Sequence, residues 1–167
     1  MANATYTAAK YFADHPIPAC TNPGDVKVWA DSITTNSTLL VDTDTLKWAR
    51  IPKNHIVLKW EAYIPDWDTG GTALAIDVGT TDNDDTLAAA VVIGTAGYFT
   101  APLNGATVGL AAGFSDTPPT SDYDLISDVT ASATTGTSGT AYFRVYYTAL
   151  PVIYDPTSSP AAVTGTQ

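Results

Sequence analysis

Side-chain oxygen is the ligand chemistry this chain has most of. Asp66 and Asp68 flank Trp67, Asp77 precedes Gly79, and Asp82-Asn83-Asp84-Asp85 is an unbroken run of oxygen donors. Calcium takes six to eight such oxygens, often from alternate loop positions. If the chain held calcium, Asp82, Asp84 and Asp85 would be its ligands. The glycine and the distal bidentate glutamate of an EF-hand are absent, however, and aspartate ends strands and caps turns with no ion present. The expectation is no metal site and no cofactor.

Proton and nucleophile chemistry is sparse. His15 stands in a Pro-rich segment and His55 at the mouth of a turn, so nothing in the sequence joins them. Cys20, the single cysteine, has no basic neighbour to lower its pKa, and it excludes an intrachain disulfide or a cysteine metal site. A glycosidase needs two carboxylates across a cleft. Glu61, the one glutamate, alternates with Val57 and Lys59, which reads as a solvated or cross-strand-paired side chain. There is no nucleophile elbow, phosphate-binding loop, zincin helix or dinucleotide fingerprint. The chain is not expected to be an enzyme.

Aromatic residues offer binding instead of catalysis. Trp67, between two aspartates in a turn, either stacks on a sugar or folds back to cover the edge of the core, the second being favoured. Tyr142 and Tyr146 share one face of a strand and suit an interface, where tyrosine is enriched.

Bulk properties narrow the partners. The 167 residues suffice for one domain with a real core. Only 14% are charged, against about 25% in ordinary globular chains, and Thr, Ala, Ser and Gly fill the gap. Such side chains lose little entropy when a surface is ordered, which suits a packed assembly. A formal net charge of −10 leaves nothing to neutralise phosphates, so nucleic acid is excluded as a partner. No apolar run approaches the roughly 20 residues of a membrane helix, and no secretory signal is evident, so no membrane partner is expected.

The elements that must position these residues are strands. Asp and Thr abound, while the helix formers Glu, Lys, Arg and Gln are scarce. Alternation predicts strands over residues 25–33, 39–41, 45–51, 55–64, 72–78, 98–103, 107–112, 125–133 and 140–148. Residues 45–78 read as a meander, joined by the turns Pro52-Lys53-Asn54 and 65–71. In residues 55–64 the set Ile56, Leu58, Trp60, Ala62 and Ile64 is placed inward, and in 72–78 the set Leu74, Ile76 and Val78. Residues 86–93 fit a short helix or a strand equally. Asn104-Gly105 signals a hairpin. The whole predicts an all-β fold, a β-sandwich or jelly-roll of about eight short antiparallel strands. Residues 26–148 form the domain, with an extended N-terminal arm over 1–25 and a Pro-containing C-terminal arm over 149–167.

The order of elements over residues 42–85 carries a likeness. A strand, the Ile51-Pro52 turn, a second strand, an Asp-rich turn ending in Thr69-Gly70, then Ala73-Leu74-x-x-Asp77-Val78-Gly79 and an acidic loop follow one another. This arrangement resembles small virion structural proteins of tailed bacteriophages, among them capsid decoration and minor head proteins. The resemblance implies a non-enzymatic protein on the outer surface of the capsid. It would bind the major capsid protein and sister subunits, with the arms gripping neighbours. It adds no active-site residue. The alternative is a carbohydrate- or receptor-binding module of a head or tail fibre.

Overall fold

In the computed structural model, residues 4–22, 24–36, 39–71, 73–81, 83–101 and 120–149 are described. They form nine strands and no helix: β1 (Thr5–Thr7), β2 (Val26–Thr35), β3 (Thr45–Ile51), β4 (His55–Ile64), β5 (Ala75–Thr80), β6 (Asn83–Val92), β7 (Gly97–Ala101), β8 (Tyr123–Ala131) and β9 (Gly139–Ala149). Two sheets face one another, in the orders β1-β3-β8-β5-β6 and β2-β9-β4-β7. The expected all-β sandwich is present.

The pairing is nested. β5 pairs with β6, β4 with β7, β3 with β8 and β2 with β9, all antiparallel. This is one long hairpin with its tip between β5 and β6, wrapped so that β4 also meets β9 and β5 also meets β8. Eight strands wound in this way are a jelly roll. The meander expected over residues 45–78 is therefore corrected. β3 and β4 lie in opposite sheets, because the Pro52–Asn54 connection, with Asn54 at φ 59°, turns a corner instead of closing a hairpin. Turn chemistry was legible there, but the sheet to which the turn led was not.

Alternation explains which residues are buried. On β9, Ala141, Phe143, Val145 and Tyr147 face the core, and Tyr142 and Arg144 face solvent. Leu74, Ile76 and Val78 are fully buried, as the alternation places them. β4 departs from strict period two. A bulge between Val57 and Lys59 resets the alternation, so Trp60, Ala62 and Ile64 point inward while Leu58 is only half-buried. A second bulge, between Lys47 and Ala49, keeps both Trp48 and Ile51 in the core and turns Arg50 outward. Between the sheets Trp48 packs 5.2 Å from Trp60 and 5.1 Å from Phe143, and its indole N–H donates to Ser127 Oγ at 2.7 Å.

Of residues 86–93, all but Ile93 belong to strand β6. Leu87, Ala88 and Val91 are buried, and irregular register against β5 absorbs the alanine run, with Ala90 in the left-handed region at φ 51°. Residues 39–41 are irregular rather than a strand: Leu40 plugs the core, and its carbonyl accepts the N–H of Ala133. The predicted strand at 107–112 and the Asn104-Gly105 hairpin lie outside the described residues, as do residues 150–167 of the C-terminal arm.

The N-terminal segment needs the largest correction. It is extended, but its described part packs on its own domain. β1 lies parallel to β3, and Ala8 bridges to Ile33 in the opposite sheet while its N–H donates to Lys47 O. Ile17 and Cys20 are buried. The Cys20 N–H donates to His55 Nε2 at 2.7 Å, and His55 Nδ1 stands 2.8 Å from Lys53 O, so Nδ1 carries the proton. The Tyr147 hydroxyl, its pKa pushed up to about 12 by burial and then by Cys20, donates to Pro18 O. No hydrophobic period betrays this strap, because each apolar residue fills a separate gap along the sandwich edge.

Candidate interaction surface

The outer face of the β2-β9-β4-β7 sheet brings together the aromatic and charged residues best placed to meet a partner. Register aligns Tyr142, Tyr63 and Tyr98 in one row across β9, β4 and β7. They are 62%, 38% and 87% exposed, and the rings of Tyr63 and Tyr98 lie 5.0 Å apart. The next row holds Ala30, Arg144, Glu61 and Thr100, and the one after it Val28, Tyr146 and Lys59. A groove of about 560 Å³ runs along the first two rows.

Glu61 is the electrostatic centre of this face. It accepts from Lys59 Nζ at 2.7 Å and from the Tyr146 hydroxyl at 2.8 Å, with Arg144 at 3.5 Å. The Lys59 hydrogen bond, then that of Tyr146, lowers its pKa from the ordinary carboxylate value. Every donor here serves to hold the carboxylate ionised, so this is a pinned ion cluster. Tyr142 is open to a partner. Tyr146 is half-buried, with its hydroxyl engaged and Lys59 5.4 Å above its ring. Tyr63 and Tyr98 are added by the structure. Tyr63 shares the solvent-facing set with Lys59 and Glu61, so it could have been found in the sequence. Tyr98 becomes meaningful only once β7 is known to flank β4.

Trp67 is not part of this surface. It is 1% exposed, which removes it as a stacking platform and corrects its place among the ligand candidates. The turn is drawn inward by Asp68, whose Oδ1 accepts the backbone N–H groups of Thr134 and Thr135 at 2.8 and 2.9 Å. Gly139 makes room for the indole: a Cβ there would lie 2.7 Å from Pro65 Cγ and 3.0 Å from Trp67 Nε1.

The calcium candidates do not converge. Asp82 lies outside the described residues. Asp84 and Asp85 are successive residues of β6, so their side chains leave opposite faces of the strand. Among the described residues no group of three or more His, Cys, Asp or Glu side chains is placed to hold a metal. His15 is exposed in the strap and His55 is buried as a structural acceptor.

Three carboxylates tie distant segments together, and their acid response has one sign. Burial alone would raise the pKa of Asp124, but Lys47 at 3.0 Å, with Tyr11 and Arg50, outweighs it and holds the group below its ordinary value. Asp68 is lowered by the Thr135 N–H foremost, then by those of Thr134, Gly70 and Leu74, against its burial. Glu61 is lowered as described. A carboxyl whose folded-state pKa is depressed stabilises above its unfolded value, near 4, and loses that contribution as pH falls through the folded-state pKa. Urea midpoints should therefore stay level from pH 7 to about 5 and fall below about pH 4. Asp124→Asn should flatten the acid limb, and an unchanged limb would show that Asp124 does not contribute.

No family model and no curated protein matches the chain. Solved structures do. A chain in the capsid of Ralstonia phage GP4 superposes with a TM-score of 0.70 at 20% identity, covering 89% of this chain and 99% of that one. A chain in the cyanophage Pam1 capsid asymmetric unit superposes with a TM-score of 0.59 at 23% identity, covering 86% and 99%. The jelly roll of this protein is thus a fold it shares with chains of two phage capsids.

Proposed function

We propose that this chain is a non-enzymatic structural protein of a phage virion. It binds the major capsid protein lattice on the outer surface of the shell, as a decoration or minor capsid protein. The observation that carries this reading is the superposition on nearly the whole length of a chain from the Ralstonia phage GP4 capsid. A lattice-binding protein needs no active site. It needs a rigid body, surfaces that are cheap to order, and repetition, so that many weak contacts sum to stable attachment. The Thr- and Ala-rich composition and the tyrosine row supply the surfaces.

Quantitative mass spectrometry of purified particles tests it. Hundreds of copies, fewer than those of the shell's most abundant protein, with cleavage by protease added to intact particles, is the expected result. A dozen copies or fewer would make the chain a fibre or portal component. Its being the most abundant shell protein would make it the lattice itself.

A further inference from the structure

We infer that the outer face of the β2-β9-β4-β7 sheet docks against the same face of a second copy of this chain. The inference names a partner for the surface described above. It builds on the reading of the chain as one of many copies in a shell, but its test needs no shell.

Two observations single out this face. Of the seven large apolar or aromatic side chains exposed among the described residues, five stand on it: Val26, Val28, Tyr63, Tyr98 and Tyr142. Apolar surface concentrated in this way marks a protein contact. The second observation is charge. The strand acids lie mainly on the other sheet, with Asp77 on β5, Asp84 and Asp85 on β6, and Asp124 and Asp128 on β8. On this face Lys59 and Arg144 outnumber Glu61, because the side chain of Asp31 leaves the other side of β2, in register with Phe143, and accepts the Lys10 N–H. A chain of net charge −10 repels its own copies. On this face the cations at least balance the acid, whereas on the outer face of the other sheet Lys47 and Arg50 offset only part of Asp77, Asp124, Asp128 and whichever of Asp84 and Asp85 points outward.

The layout is also self-complementary. Rows on one face of a strand are about 6.6 Å apart. The Arg144–Glu61 row is flanked at that spacing by the Val28–Tyr146–Lys59 row on one side and the Tyr142–Tyr63–Tyr98 row on the other. A two-fold axis lying between the facing sheets, along the central row, exchanges the outer rows. Each copy's valine end then meets the partner's tyrosine end, while the central row lies over itself, so that each Arg144 has the second copy's Glu61 one strand spacing, about 4.8 Å, to the side of the arginine it faces. The same patch serves both copies, which is what a closed dimer requires. Three strands of about ten residues and the five-residue β7, at about 4.8 Å by 3.3 Å per residue, give roughly 550 Å² of projected face per copy. With side-chain relief this reaches the scale of a standard interface, about 800 Å² per partner.

Sedimentation velocity of the purified chain from about 1 to 100 µM tests the inference. The expected result is a monomer–dimer equilibrium that Tyr142→Asp and Arg144→Glu each weaken by at least about tenfold, with circular dichroism and melting of the monomer unchanged. Thr130→Asp, on the exposed face of β8, should leave the dimer intact. A monomer at every concentration would overturn the proposal, as would a dimer that survives Tyr142→Asp. A monomer that binds purified particles or a glycan through Tyr98 and Tyr142 would also overturn it and name a different occupant. A monomer in solution leaves the copy count on particles as it was, and a low copy count leaves the dimer measurement as it was, so the two readings fail separately.

Discussion

Trp60→Ala should cost about 3–5 kcal/mol of folding free energy, the largest single-residue effect expected in this protein. Trp60 has no exposed surface, and its ring meets Trp48 from the opposite sheet, which in turn meets Phe143. These three rings fill the space between the sheets where the two bulges concentrate large side chains. Truncation leaves a cavity that the neighbours can close only in part, because both are held by register and Trp48 also by its bond to Ser127. For a chain of this size the melting temperature should fall by roughly 6–20 °C. A variant within about 1 kcal/mol of the parent in urea would mean that the ring does not occupy the core.

Removing residues 1–20 should come second, at about 3 kcal/mol or more and a melting temperature lower by roughly 6–12 °C. Burial of Ile17 alone contributes about 1.5–3 kcal/mol, and its loss exposes the side chains beneath it. Three bonds go as well: Cys20 N–H to His55, Tyr147 hydroxyl to Pro18, and Ala8 N–H to Lys47. The ordering entropy no longer lost by the strap offsets part of this. Phe12→Ala, at a residue 61% exposed, should leave the melting temperature unchanged. A truncated domain as stable as the parent would return the segment to the status of an arm that serves neighbours.

What the sequence showed and what it hid divide along physical lines. The limits of β3 and β4 were readable to the residue, because alternation is bounded there by Pro52 and Asn54 and then by Pro65. The inward set of β5 was readable for the same reason. Destination was not. A corner and a hairpin use the same turn residues, so nothing local said that β3 and β4 part company. The bulge between Val57 and Lys59 was hidden too, since an extra residue leaves no trace in composition. The strap escaped because burial without periodicity has no sequence signature. At the interaction surface Tyr142 and Glu61 were visible as outward residues, but the tyrosine row exists only through the adjacency of β9, β4 and β7.

Nested pairing has a consequence for synthesis. The tip hairpin β5–β6 can close as soon as it emerges, since its partners are neighbours in the chain. Val26, by contrast, pairs with Thr148, so β2 waits for almost the entire remainder of the domain. At ribosomal speeds of about 5–20 residues per second, that wait is on the order of ten seconds. Throughout it, a ten-residue strand bearing Val26, Val28 and Ile33 has no β9 to cover it. Wherever several nascent chains stand close together, the risk of cross-pairing between them is greatest in that interval. Slowing translation after β2 should lower the soluble yield, and slowing it after β9 should not.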